Sequence, residues 1–266
     1  MVIAAAIGGV VLLLAVFLVL NKRPLKAMES SSPGSAQELY AQAMSLEEKN
    51  ETLAASDAYQ KLLSEYPDFN EMPTAQKHLE SLNMQIIFSA TETPKTEVYE
   101  VNPGDSLVKI AKHYKTTVEL IKKSNNLTSD TIRAGQHLRI WKGVFSVFVD
   151  KSQNTLMLKS DNEIVKIYNV STGKNNSTPV GTFKIVDKLV NPVWFKSGAI
   201  VPPESPENIL GTRWMGFDFP GYGIHGTTDP NNIGQQVTAG CVRMRNSEVE
   251  ELYSLLPVGT AVTIVD

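Results

Sequence analysis

The stretch GIHGTTDPNNIGQQVTAGCVRM, residues 223–244, places Cys241, the only cysteine of the 266-residue chain, downstream of His225, one of its four histidines. Around this stretch, from Phe145 onward, strand-like runs alternate with turns: Phe145 to Val149, Thr155 to Lys159, Lys166 to Val170, Gly181 to Val186 and Ala261 to Val265. Short runs rich in β-branched and aromatic residues, bounded by turn formers, suit the pleated face of a sheet. The pattern predicts a mainly-β domain over residues 143–266 with one helix near Ser247 to Leu255.

His225 and Cys241 are the only histidine and the only cysteine of this domain. A thiol is a poor nucleophile while protonated, and a neighbouring imidazole can take the proton to give a thiolate-imidazolium pair. A lone cysteine is more often a small buried hydrophobe. Cys241, however, follows Gly240 in a polar segment between turns, where packing has no need of sulfur. A glycine before the nucleophile lets a substrate carbonyl approach the backbone, whose N–H groups can face a developing oxyanion.

These residues resemble the active-site signature of the L,D-transpeptidases (YkuD-type catalytic domain). The likeness extends to STPVGTFKI and ENILGTRWMGF upstream. It implies cysteine acyl transfer on peptidoglycan stem peptides. Cys241 is then the nucleophile on the third residue of a tetrapeptide donor, a diamino acid. Terminal D-alanine leaves, His225 acts as base, and an acceptor amine resolves the acyl-enzyme into a 3→3 crosslink. Gly240 and Cys241 supply candidate oxyanion N–H groups, and Gly226 is positioned to orient the imidazole through its carbonyl. Arg243 either binds a substrate carboxylate or shapes the loop; Tyr222 and Trp194 either line the cleft or pack the core. One departure stands out: family members usually carry a second histidine directly before the glycine, where this chain has Ala239. Two alternatives stay open, an L,D-carboxypeptidase that uses water as acceptor and a non-catalytic wall-binding anchor.

Upstream, VYEVNPGDSLVKIAKHY, LIKKSNNL and IRAGQHLRI resemble a LysM module over residues 97–142. The pattern reads strand, two short helices and strand, with the first helix capped by Asp105 or Ser106. The resemblance implies a βααβ fold whose groove binds N-acetylglucosamine-containing glycans. It lies between the turn Gly104, Asp105, Ser106, Leu107 and the loop Asn125, Asn126, Leu127. The competing reading is that these side chains only fold the module. His113 and His137 belong to this module and are not natural catalytic candidates.

Between a Ser/Pro/Gly linker at 22–35 and a Thr/Pro linker at Thr91 to Lys95, residues 36–88 carry helical spacing. Leu39, Ala43 and Leu46 mark one helix. Leu53, Ala54, Ala58, Leu62 and Leu63 mark a second that stops at Tyr66-Pro67, and a third runs from Met72 to Ile86. The pair resembles a tetratricopeptide-type hairpin, read as a spacer burying its own stripe or as a docking surface for an envelope protein. His78 is expected at its surface.

Residues 1–20 hold no charged side chain and are long enough to span a bilayer, so 1–21 reads as an uncleaved single-pass anchor. Lys22, Arg23 and Lys26 follow the span with none before it, which alone favours a cytoplasmic chain. The substrate implied for the two modules lies outside the membrane. The expectation is therefore an inner-membrane protein with its catalytic domain in the periplasm, and a basic leader encoded upstream. A net charge of −3 gives no field for nucleic acid, and neither metal nor cofactor is expected.

Overall fold

The computed structural model describes residues 35–196 and 198–266; the anchor read over 1–21 and nearly all of the following linker lie outside them. Among the described residues no helix is long and apolar enough to cross a membrane. The chain divides after Ile86 into two compact units.

In the first, Ala36–Glu48 (α1) opens with a capping box: the Ser35 Oγ accepts from the Glu38 N–H, and the Ser35 N–H donates to the Glu38 carboxylate. Thr52–Glu65 (α2) and Met72–Phe88 (α3) follow. The core holds Leu39, Ala43, Ala55, Tyr59, Leu62 and Leu79, so the hairpin covers its own stripe. Two expectations change here. Leu53 and Ala54 face outward, because the stripe of α2 runs through Ala55, Ala58, Tyr59 and Leu62 at helical spacing. His78 is not a free surface residue: it stacks on Tyr59 at 5.4 Å and its Nδ1 lies 2.8 Å from Glu47 Oε2.

The second unit begins with Thr96–Glu100 (β1), Leu107–Tyr114 (α4), Val118–Ser124 (α5) and His137–Trp141 (β2), a βααβ arrangement with β1 and β2 antiparallel. Ser106 caps α4, accepting from the Lys109 N–H, and Thr117 caps α5. Asp105 does not cap; its carboxylate takes the Tyr99 hydroxyl and the Asn102 N–H. Val101, Leu107, Ile110, Ile121, Leu138 and Ile140 form the small core.

The remaining elements are Phe145–Asp150 (β3), Thr155–Ser160 (β4), Glu163–Asn169 (β5), Thr172–Gly173 (β6), Gly181–Val190 (β7), Trp194–Lys196 (β8) and Ala199–Val201 (β9). Then come Arg213–Phe217 (β10), Gly223–His225 (β11), Gln236–Thr238 (β12), Val242–Arg243 (β13), Asn246–Leu255 (α6) and Ala261–Val265 (β14). Eight strands form one mixed sheet in the order β13-β11-β10-β7-β14-β3-β4-β5. Helix α6 places Val249, Leu252 and Leu255 inward and packs on β10 and β11. Its Ser254 joins the domain to the preceding βααβ module: the Thr117 hydroxyl donates to the Ser254 carbonyl, and Lys123 Nζ lies 3.1 Å from the Ser254 hydroxyl.

Candidate active site

Strand register assembles the site at one edge of the sheet. β11 and β13 are parallel, with Ile224 opposite Val242 and His225 opposite Arg243. Side chains alternate along a strand, so Ile224, Val242 and Met244, all fully buried, anchor the core side. The other side of the alternation carries His225, Cys241 and Arg243. All three line one cavity of about 440 Å³.

His225 is 2% exposed. Its Nδ1 lies 2.7 Å from the Gly226 carbonyl oxygen. A carbonyl only accepts, so Nδ1 carries the proton and Nε2 is left as the acceptor, the state a general base needs. Burial pulls the imidazole pKa down to about 4; the hydrogen bond to Gly226 opposes this, and the Arg243 charge adds to it. Burial likewise pushes the Cys241 thiol up, against the smaller opposing pulls of a backbone hydrogen bond at Gly223 and of the Arg243 charge. The thiol points to the Gly221 carbonyl at 3.6 Å. Both shifts favour neutral partners at rest. They run against a resting thiolate-imidazolium pair and toward a neutral thiol and a neutral base lining the same cavity.

Gly240 turns the chain at φ +131°, and a Cβ there would lie 2.6 Å from the Tyr222 ring and 3.2 Å from the Ser177 carbonyl oxygen. No other residue fits. Of the two backbone N–H groups named as oxyanion candidates, one is engaged at this turn. The Gly240 N–H donates to Thr238 Oγ1 at 3.1 Å, and that hydroxyl donates in turn to the Cys241 carbonyl at 2.7 Å. The Cys241 N–H remains as the candidate oxyanion donor of the two. Tyr222 backs the turn and is absent from the cavity wall. Trp194 is in that wall, with Leu189, Val193, Trp214 and Ala239.

Arg243 is the only charged side chain of the cavity wall, and its buried Nε finds no hydrogen-bond partner among the described residues. A buried donor without an acceptor is costly, so this N–H is free to take an acceptor brought into the cavity.

Two further residues matter that sequence reasoning missed. Trp214 pairs with His225 across β10 and β11 and lays its indole beside the imidazole, ring centroids 6.0 Å apart. Asn246 Oδ1 accepts the N–H groups of Thr227, at 3.0 Å, and Thr212, at 3.2 Å. A Cβ on Gly211 or Gly226 would strike that oxygen, so the two glycines make room for it. No local pattern announces this contact; it joins three distant segments.

In the βααβ module Gly104 stands at φ +87° in the turn, and Leu107 is buried in the core. Asn125 is bound to the backbone of β2, its amide oxygen accepting from the Arg139 N–H at 2.7 Å and its amide nitrogen donating to the Arg139 carbonyl at 2.8 Å. Asn126 and Leu127, with Lys122, Lys123 and Thr128, line an open pocket of about 550 Å³.

The L,D-transpeptidase catalytic domain model matches residues 145–264, and the LysM domain model matches residues 99–141. Bacillus subtilis YqjB, named as an L,D-transpeptidase, is 43% identical over 126 residues, covering 45% of this chain and 70% of that protein. Bacillus licheniformis YkuD, named likewise, is 34% identical over 176 residues, covering 63% of this chain and 98% of its own length. The chain belongs to the L,D-transpeptidase family. A crystal structure of an L,D-transpeptidase from Mycobacterium tuberculosis aligns with a TM-score of 0.40 at 17% identity, covering 50% of this chain and 63% of that one. As an L,D-transpeptidase, the chain carries a cysteine-dependent acyltransferase domain, and crosslinking of peptidoglycan is the family's function. Cys241 and His225 are the nucleophile and base candidates of that domain.

Proposed function

We propose that this L,D-transpeptidase joins peptidoglycan stem peptides through an acyl-enzyme on Cys241, forming 3→3 crosslinks. The observation that carries the reading is the shared cavity. A thiol, a base-ready imidazole and a guanidinium whose Nε has no hydrogen-bond partner among the described residues line it together, between apolar walls.

The chemistry follows from the neutral resting pair. As Cys241 Sγ attacks the carbonyl carbon of the donor's diamino acid, the S–C bond forms and the thiol proton passes to His225 Nε2. The developing oxyanion faces the Cys241 N–H. Collapse breaks the C–N bond to terminal D-alanine, whose nitrogen takes the proton from His225. An acceptor amine then attacks the thioester and gives its proton to the imidazole. The C–S bond breaks, and the sulfur recovers that proton. Arg243 holds a stem-peptide carboxylate during both halves. Ala239 sits in the cavity wall with no proton-carrying side chain, so His225 serves both proton transfers.

Incubation with a purified tetrapeptide muropeptide tests this. A dimeric product with released D-alanine is expected; tripeptide as the sole product would assign the enzyme to hydrolysis.

We further infer that residues 1–21 anchor the enzyme in the cytoplasmic membrane with its catalytic domain in the periplasm. The LysM module then holds glycan strands through the exposed turn at Gly104 and the pocket at Asn126 and Leu127. The uncharged run over 1–20 and the LysM match support this. A C-terminal reporter active only outside the cytoplasm is the expected result; a cytoplasmic phenotype would overturn it.

A further inference from the structure

The segment Ser171 to Thr178 touches the nucleophile turn on three sides. Ser171 exchanges two backbone hydrogen bonds with Arg243, each 2.8 Å. β6 runs parallel to β12, the strand that leads into Gly240. The Ser177 carbonyl lies against Gly240, within 3.2 Å of where a Cβ would stand. This cradle contains a short turn with Asn175 and Asn176 at positive φ, 52° and 61°, closed by the Ser177 N–H on the Lys174 carbonyl at 3.2 Å and the Gly173 N–H on Thr178 Oγ1 at 2.7 Å. Its outward-facing carbonyls need a partner from the domain beneath.

Lys151 holds it. The side chain is 3% exposed. Its Nζ donates to the Thr178 carbonyl at 3.0 Å and the Asn176 carbonyl at 3.4 Å, and lies 3.7 Å from Asp266 Oδ1. Its own carbonyl accepts from Gln236 Nε2 at 3.3 Å, so the same residue also grips β12. An ammonium in the interior is costly, and an apolar side chain of equal length would fill the space without that cost. What the apolar chain would not do is bind the carbonyls on either side of Ser177.

We propose that Lys151 is a positioning residue for Cys241. It fixes the carbonyls of Asn176 and Thr178, and through Ser177 and Gly240 it sets the backbone from which the thiol and the Cys241 N–H project. It touches neither substrate nor the reacting atoms, and it rests on the transpeptidase reading above.

The test is kcat and KM for crosslinking of the tetrapeptide muropeptide by full-length wild type, Lys151→Met and Lys151→Arg, each normalised to titrated active-site thiol. Misplacement of a reacting group costs rate rather than binding, so Lys151→Met is expected to lose about tenfold to a hundredfold in kcat at nearly unchanged KM. Lys151→Arg, which keeps the charge and the donors, is expected to recover part of it. A residue that only stabilises the fold would lower the melting temperature and leave kcat per active site at the wild-type level. That result, or an Arg variant no better than Met, overturns the proposal. Should Lys151→Met not fold, Lys151→Gln, with one donor group retained, is read by the same kcat criterion. An inactive wild type would instead remove the transpeptidase reading itself.

Discussion

The LysM module and the nucleophile cleft share one compact unit but use their polar groups in opposite ways. In the module, Asp105 and Asn125 bind backbone and neighbouring side chains of the module itself. In the cleft, the Cys241 thiol meets only backbone, with the Gly221 carbonyl at a long 3.6 Å, His225 uses one ring nitrogen, and Arg243 Nε has no partner among the described residues. Motif residues of a small module are largely needed to close a core of a few side chains. A large sheet can hold unsatisfied groups at its edge, and those groups do the chemistry.

The largest expected effect that sharpens this contrast is at the thiol. Cys241→Ala should abolish crosslinking, on the order of a thousandfold or more, while leaving the melting temperature nearly unchanged. Thermal melting and product chromatography on the same sample check both halves.

His225→Gln should cost about 10²- to 10⁴-fold in kcat, the usual range for a lost general base. The wild type should keep its base unprotonated down to about pH 4. The acid limb of its rate profile should then fall near that value; a midpoint near the ordinary histidine range would break the account of a buried neutral base. Stability follows the same sign. The unfolded chain binds a proton near pH 6.5 and the folded chain only near 4, so the unfolded state holds more protons between them. Wild type should therefore lose stability as pH falls through that window, by about 3 kcal/mol more at pH 4 than the Gln variant, which lacks this group.

Arg243→Gln is expected to raise KM for the donor by about tenfold to a hundredfold, the worth of a charge-assisted hydrogen bond, with a smaller change in kcat. An unaltered KM would assign Arg243 to shaping the loop.

The smallest effects separate the two kinds of residue within the module. Asn125→Ala should destabilise by about 1–3 kcal/mol, because it strips partners from the β2 backbone, without changing kcat on a soluble muropeptide. Asn126→Gly, which keeps the backbone at its φ of +53°, should leave stability nearly unchanged and weaken retention on purified wall glycan. Equal effects of the two would erase the distinction.

The sequence made the module legible almost residue by residue, because its contacts are local and its caps are the ordinary Ser and Thr caps. The longer strands β3, β4, β5, β7 and β14 were legible from their apolar runs. The strands β8 to β13, each of only two to five residues, were not, since pairing with other segments makes them strands. Cys241 and His225 were legible from their glycine-rich flanks. Asn246, Trp214 and Lys151 were not, because each acts through a partner far away in the chain. His78 is half covered for the same reason: Tyr59 and Glu47, which contact it, lie on other helices.

Mass spectrometry of the folded protein after incubation with a carbapenem, a strained cyclic amide that acylates thiols in such a site, tests the central claim most directly. A single adduct on Cys241 in the wild type and none in Cys241→Ala is expected. A folded wild type that carries no adduct would contradict the assignment of Cys241 as the acyl-accepting nucleophile.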